Sequence, residues 1–139
     1  MPLQVIQVEQ TTSTAPEVIF ARMIDGAQWP EMSPLETFEL ERPGADEPEG
    51  IGAIRVFRTG PITMREEIVE RVQDRRLAYI ALSGLPMKDY RAQIDLVPAG
   101  DGTTLHWRSS FTPRIPGTGW LFRILVTRTV KPLVAGLIA

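Results

Sequence analysis

The chain has 139 residues, no cysteine, one histidine and a formal net charge of −2 from 15 basic and 17 acidic side chains. The length favours one domain over residues 1–139, and the 43% hydrophobic content is ordinary for a soluble globular protein. Without cysteine no disulfide, thiolate metal site or cysteine nucleophile forms, and a single histidine excludes a two-histidine metal site within the chain. We therefore expect no metal and no cofactor, and the near-neutral charge gives no electrostatic footprint for nucleic acid.

The two ends of the chain predict a cytoplasmic protein. The first residues lack the basic segment and the long apolar run of a secretory signal. The apolar stretch at residues 120–139 contains Arg123, Arg128 and Lys131, which are costly at the centre of a bilayer. We therefore expect no stable membrane insertion. For the oligomeric state, we expect either a monomer or a homodimer.

The predicted elements begin with a strand at residues 3–10, which is rich in β-branched side chains. A helix follows Thr14, which is spaced from Glu17 as in a capping box, and a second short helix is predicted at residues 27–32. Six β-rich segments then alternate with glycine- and proline-containing turns, at residues 37–41, 52–59, 62–73, 76–83, 89–98 and 103–113. Links of this length join antiparallel strands, because parallel crossovers need more residues.

Two further segments complete the predicted architecture. Residues 42–50, which include Glu49, form an acidic segment that predicts a solvated, mobile loop. Residues 120–139 predict a long helix whose apolar face begins with Trp120 and Ile124 at helical spacing. Strand, two helices, six strands and a helix is an α+β order, β-α-α-β6-α.

The hairpin at residues 52–73 places a charged pair on a face that should be buried. With Gly60 and Pro61 as a two-residue turn, Arg55 pairs with Glu66 across the two strands. The same face carries Phe57, Met64 and Ile68. Because charges are seldom buried without a partner or a ligand, Arg55 and Glu66 either form an ion pair that fixes the register or anchor a ligand.

Alternation in the later strands assigns further side chains to the inner face. Tyr79 and Tyr90 both point inward, and each hydroxyl either orients an oxygenated ligand or bonds to the backbone in the core. In the last strand Trp107 points inward and His106 outward. We therefore expect a solvated histidine at position 106 and no catalytic role for it.

Several short motifs follow one another along nearly the whole chain. They are TAPEVIF at residues 14–20, Trp29-Pro30, GAIR at 52–55, REEI at 65–68, SGLP at 83–86 with Asp89-Tyr90, GTTL at 102–105 with Trp107, and PGTG at 116–119. In this order they resemble the SRPBCC superfamily of START lipid-transfer domains, polyketide cyclases/dehydrases and birch-pollen-allergen relatives. The resemblance implies a helix-grip fold, in which a seven-stranded antiparallel sheet wraps around a long C-terminal helix.

The resemblance also implies a cavity between the sheet and this helix, holding a hydrophobic or amphipathic small molecule such as a lipid or a polyketide. Arg55 and Glu66, together with Tyr79 and Tyr90, are the expected partners of the ligand's polar end. The expected apolar walls are Phe57, Met64, Ile68, Leu96, Trp107, Phe111, Trp120, Ile124 and Val134.

Three functions stay open at this point. The first, which we favour, is the binding or transport of such a ligand. The second is a cyclase or dehydratase that acts on a polyketide, with Glu66 as general base and Arg55 or a tyrosine as oxyanion donor. Pairing with Arg55 is expected to lower the pKa of Glu66, which argues against that role. The third is a structural or dimerising domain without a ligand.

Overall fold

The computed structural model describes residues 2–139, and it has the predicted α+β order of elements. The strands are β1 (Gln4–Thr12), β2 (Thr37–Arg42), β3 (Ile54–Thr59), β4 (Ile62–Val72), β5 (Arg76–Ser83), β6 (Met87–Ala99) and β7 (Gly102–Pro113). The helices are α1 (Pro16–Met23), α2 (Trp29–Met32) and α3 (Gly119–Ile138), and a 3-10 turn at Gly26–Gln28 precedes α2.

The seven strands form one antiparallel sheet in the order β1-β7-β6-β5-β4-β3-β2. Strands β2 to β7 therefore form a meander of sequential neighbours, and β1 pairs with β7 at the other edge. The inward side chains of the sheet and the buried side chains of α3 belong to one hydrophobic core. This is the helix-grip arrangement that the motifs predict.

The register of the β3–β4 hairpin is the predicted one. Arg55 pairs with Glu66 and Phe57 with Met64, on either side of the Gly60-Pro61 turn. Because side chains alternate between the faces of a strand, this register directs both pairs toward α3. The prediction of a charged pair on the buried face is confirmed.

The start of α1 differs from the prediction. Ala15 occupies the N-cap position without a side-chain hydrogen bond, so the capping box of Thr14 and Glu17 is wrong. The Thr14 hydroxyl instead donates to the Ile138 carbonyl at 2.8 Å, and Arg22 Nη1 donates to the Leu137 carbonyl at 3.0 Å. The last carbonyls of a helix have no partner within the helix, so these bonds join the end of α3 to the segment before α1 and to the last turn of α1.

The inward face of α3 also differs from the predicted face. Its buried residues are Gly119, Phe122, Val126, Val130, Leu133, Val134 and Leu137. Trp120 is 65% exposed and Ile124 is 41% exposed, so the prediction that they face the sheet is wrong. The first turns of α3 are apolar on both sides, and spacing alone therefore does not show which side is buried. Within the described residues, no helix has the length and hydropathy needed to cross a bilayer.

Candidate functional site

A cavity of about 240 Å³ lies between α3 and the inner face of the sheet. Its walls are mostly apolar, and aromatic rings from α2 and the strands contribute a large part of them. The lining residues are Trp29, Pro34, Leu35, Phe57, Thr59, Ile62, Met64, Glu66, Tyr79, Leu85, Met87, Tyr90, Trp107, Leu125, Val126, Arg128, Thr129, Val130 and Leu133.

The structure brings about half of the residues predicted for the site to this cavity. Those that line it are Phe57, Met64, Glu66, Tyr79, Tyr90 and Trp107. Ile68, Leu96, Phe111 and Val134 are buried in the core but do not line the cavity. Trp120 and Ile124 lie outside it, on the opposite side of α3, and Arg55 is buried behind the wall.

Sequence reasoning missed two groups of lining residues. One group comes from α3, where the error in the inward face hid Val126 and Leu133. The other includes Trp29 of α2, whose ring stacks on Phe57 with centroids 5.5 Å apart. The Trp29-Pro30 motif was visible in the sequence, but nothing local indicates that the indole reaches the inner face of the sheet.

Arg55 is fully buried and is held by groups that approach it from three directions. Its guanidinium carbon lies 4.2 Å from the centre of the Trp29 ring, close enough for a cation–π contact. Its Nη1 atom donates to the Met23 carbonyl at 3.0 Å and to Glu49 Oε1 at 3.2 Å. The Oε1 atom of Glu66, the partner expected from the register, lies 4.0 Å from Nη2 without a hydrogen bond. Glu49 is therefore the closer carboxylate.

Most of the predicted solvated loop at residues 42–50 is exposed, but Glu49 near its end is not. Its side chain is only 11% exposed and also accepts the Gly26 N–H at 2.8 Å. Burial raises the pKa of Glu49, whereas Arg55 and the Gly26 N–H act in the opposite direction. The loop thus supplies a carboxylate that joins β3 to the segment between α1 and α2.

Glu66 is the carboxyl group of the cavity, and within residues 2–139 one of its oxygens lacks a hydrogen bond. The residue is buried, lines the cavity, and its Oε1 atom has no hydrogen-bond partner among the described residues. Burial raises its pKa to about 7, and the opposing effect of Arg55 is smaller. The expectation that Arg55 lowers this pKa is therefore wrong, because desolvation outweighs an ion pair at 4.0 Å. Near neutral pH the carboxyl is available both as an acceptor and as a donor.

Both predicted tyrosines are buried, and the hydroxyl of Tyr90 has a hydrogen-bond partner. The Tyr90 hydroxyl lies 3.1 Å from Ser109 Oγ, which also accepts the indole N–H of Trp107 at 2.9 Å. The partner of Tyr90 is thus a buried serine side chain rather than the backbone. Burial raises the pKa of both Tyr79 and Tyr90, so both phenols are neutral around Glu66 at physiological pH.

The remaining candidates for chemistry lie elsewhere. His106 is exposed on the outer face of β7, as the alternation predicted. Among residues 2–139, no three side chains of His, Asp or Glu are placed to share a metal ion. Glu66, Tyr79 and Tyr90 are the cavity-lining residues whose side chains carry an acidic proton.

The raised pKa of Glu66 gives a prediction for stability against pH. Since the folded pKa is about 7 and the ordinary value is 4.5, the folded state binds more protons between these values. The contribution of Glu66 is therefore complete below the unfolded pKa and is lost as the pH rises through the folded one. Relative to Glu66→Gln, wild-type protein should lose about 2–3 kcal/mol of unfolding free energy from about pH 5 to about pH 8.

The measurement is chemical denaturation of both proteins at several pH values. Glu67→Gln is the matched control, because Glu67 is the next residue of β4 and points to the other face, where it pairs with Arg42. The control shows the effect of removing a carboxylate of β4 that lies outside the cavity. A difference between Glu66→Gln and wild type that does not change with pH would contradict the raised pKa of Glu66.

A seven-stranded antiparallel sheet around a C-terminal helix, with an apolar cavity between them, places the protein in the helix-grip class. Residues 4–139 match the family described as polyketide cyclase / dehydrase and lipid transport. The chain therefore belongs to this family, within the superfamily that its motifs resemble. No curated protein sequence matches it significantly.

Solved structures share the fold at low sequence identity. The Zhui aromatase/cyclase from Streptomyces sp. R1128 has a TM-score of 0.79 at 12% identity, covering 99% of this chain and 92% of that one. A START superfamily protein from Mycobacterium smegmatis has a TM-score of 0.77 at 15% identity, covering 97% and 93%. A point mutant of Thalictrum flavum norcoclaurine synthase, in complex with a transition-state analogue, has a TM-score of 0.78 at 14% identity, covering 99% and 92%. At these identities the likeness extends to the fold alone.

Proposed function

We propose that the protein binds one hydrophobic or amphipathic small molecule, of the lipid or polyketide kind, in the cavity beneath α3. The observation that carries the proposal is an aromatic-walled cavity lined by one carboxyl, that of Glu66, whose buried Oε1 atom has no hydrogen-bond partner among the described residues. Burial of the ligand's apolar surface would supply the affinity, and Glu66 would fix its polar end.

The size of the cavity supports a ligand larger than one ring. An apolar cavity of about 150 Å³ in another protein stays dry and binds benzene. The cavity beneath α3 measures about 240 Å³, which favours two or three fused rings or a bent chain. An empty apolar space also forfeits dispersion contacts, so a ligand that fills it stabilises the fold.

Glu66 favours a particular polar group on the ligand. An ionised carboxylate accepts from a hydroxyl or an amine, and a protonated one donates to a carbonyl. A ligand with its own carboxylate would place a second negative charge beside Glu66 above neutral pH. We therefore infer that the group of the ligand that lies beside Glu66 is neutral or basic.

Two fluorescent probes with the same ring system test the proposal. We expect 1-aminoanthracene to bind with one-to-one stoichiometry, and 1-anthracenecarboxylate to bind at least tenfold more weakly at about pH 8. Native mass spectrometry of freshly purified protein should also reveal a co-purified small molecule. The absence of both dye binding and a co-purified ligand would overturn the proposal and favour a structural domain without a ligand.

A second candidate function is proton transfer in a cyclase or dehydratase. The observation in its favour is the pKa of Glu66, which burial raises to about 7, the range suited to a general base at neutral pH. Arg55 lies behind Glu66, so a phenol of Tyr79 or Tyr90 is the better candidate for the oxyanion donor.

The test of the enzyme uses a poly-β-ketone as substrate and Glu66→Gln as the variant. The enzyme hypothesis predicts that Glu66→Gln removes turnover while the variant still binds 1-aminoanthracene. Equal turnover by Glu66→Gln and the wild type would exclude Glu66 as the base, and binding without turnover in the wild type would leave the carrier function alone.

A further inference from the structure

The outer face of α3 is apolar and basic. It comprises Trp120, Arg123, Ile124, Thr127, Arg128 and Lys131, which recur at helical spacing opposite the buried residues. All but Thr127 are exposed, and Trp120, at 65%, is the most exposed large hydrophobic side chain among the described residues. The first five of these residues line an open groove along the helix.

The charge on this face has no counterpart on the same helix. Every acidic residue of the chain lies at or before Asp101. The charged side chains of α3 and of the loop that leads to it are therefore all basic. Within residues 2–139, no ion pair involves Arg123, Arg128 or Lys131. The chain as a whole is negative, at −2, which makes this face a local concentration of positive charge.

The face and the cavity share one lining residue. Arg128 lines both the cavity and the outer groove. A surface that docks on this face would therefore contact a residue that also forms part of the cavity wall.

We propose that the outer face of α3 docks on an anionic phospholipid surface. Trp and Ile side chains enter the boundary between headgroups and acyl chains, while arginine and lysine extend their charges to the lipid phosphates. Any exchange of ligand between the bilayer and the cavity rests on the proposed function, but the docking itself does not.

A second copy of the chain fits this face poorly. A two-fold contact brings the same patch of two subunits together, so the basic side chains of one helix would lie near those of the other without a carboxylate on either helix. An anionic lipid surface supplies the missing charge in the required density. Charge complementarity therefore selects the lipid surface.

Vesicle sedimentation tests the docking. The wild-type protein should sediment with vesicles of equal parts phosphatidylglycerol and phosphatidylcholine, and not with phosphatidylcholine alone. High salt should weaken the binding, since the charges are exposed. The double variant Arg123→Glu, Lys131→Glu should bind at least tenfold more weakly, because each lost charge lowers partitioning roughly fivefold.

A matched control carries the same charge change elsewhere. Arg75→Glu with Arg108→Glu reverses two exposed arginines away from α3, on the β4–β5 turn and on the outer face of β7. This control should keep most of the vesicle binding. Equal losses in the two double variants would show an unspecific effect of net charge and would overturn the proposal.

Tryptophan fluorescence locates the contact. Trp29 and Trp107 are buried, so a blue shift on addition of anionic vesicles should come from Trp120 and disappear in Trp120→Phe. A protein that binds 1-aminoanthracene but not anionic vesicles would overturn the docking and leave the proposed function intact. Vesicle binding without dye binding would overturn the proposed function and leave the docking intact. A dimer that shields Trp120 in the absence of lipid would assign the face to a second copy and overturn the proposal.

Discussion

Replacing Arg55 with methionine is expected to lower the free energy of unfolding by about 3–5 kcal/mol at about pH 8. The guanidinium is fully buried between Glu49 and Glu66, and methionine would leave both carboxyls without a buried cation. The cation–π contact with Trp29 and the bond to the Met23 carbonyl are lost as well. Urea denaturation of the variant and the wild type measures the difference.

The matched control is Arg58→Met on the same strand. Arg58 points to the other face, is about half exposed and pairs with Glu39 at 3.6 Å, so its loss should cost about 0–1 kcal/mol. Adding Glu49→Gln and Glu66→Gln to Arg55→Met should recover part of the stability, because the unpaired charges are removed. If Arg55→Met costs no more than Arg58→Met, the buried charge cluster does not stabilise the fold as described.

Replacing Val130 with phenylalanine is expected to weaken the binding of 1-aminoanthracene at least tenfold. Val130 is buried on the inner face of α3 and lines the cavity, so an added ring would occupy the space proposed for the ligand. A ring placed in a cavity replaces missing contacts, so the fold should tolerate the change better than it would in a filled core. A fluorescence titration gives the affinity, and a thermal melt shows that the variant is folded.

Val18→Phe provides the same substitution on a surface. Val18 lies on α1 with 45% of its surface exposed, and the added ring would point away from the core. This variant should bind the dye as the wild type does. Undiminished binding by a folded Val130→Phe would place the dye somewhere other than beneath α3.

The fold could be predicted from the sequence because local signals agreed with one another. The two-residue turn at Gly60-Pro61 sets the register of the β3–β4 hairpin, and alternation then directs Arg55, Phe57 and Glu66 inward. The same alternation turned Tyr79 and Tyr90 inward and His106 outward. The type of a turn and the alternation of side chains along a strand depend on neighbouring residues, so both can be predicted from a single sequence.

The errors arose where local signals were ambiguous or where distant segments meet. In the first turns of α3, apolar side chains surround the axis, so Trp120 and Ile124 satisfied the helical period on the wrong side. An acidic loop ordinarily predicts solvent, and nothing near Glu49 in the sequence indicates that its carboxylate reaches Arg55 and the Gly26 N–H. These contacts depend on the tertiary fold.

The pKa of Glu66 depends on the relative size of two opposing effects, burial and the charge of Arg55. From the sequence, the neighbouring Arg55 predicted a lowered pKa, but burial acts more strongly and raises it to about 7. The nearer carboxylate of Glu49 takes the hydrogen bond of Arg55 Nη1, which leaves Glu66 at 4.0 Å from the guanidinium. Glu66 Oε1 is thus left without a hydrogen bond among the described residues.

Methyl spectra of protein labelled at its methionines test the central claim, ligand binding beneath α3, most directly. Met64 and Met87 line the cavity, whereas Met23 is buried in the core outside it. We predict that saturation with 1-aminoanthracene shifts the methyl signals of Met64 and Met87 through the ring current and leaves that of Met23 nearly unchanged. Unshifted signals from Met64 and Met87 at saturation would contradict the account.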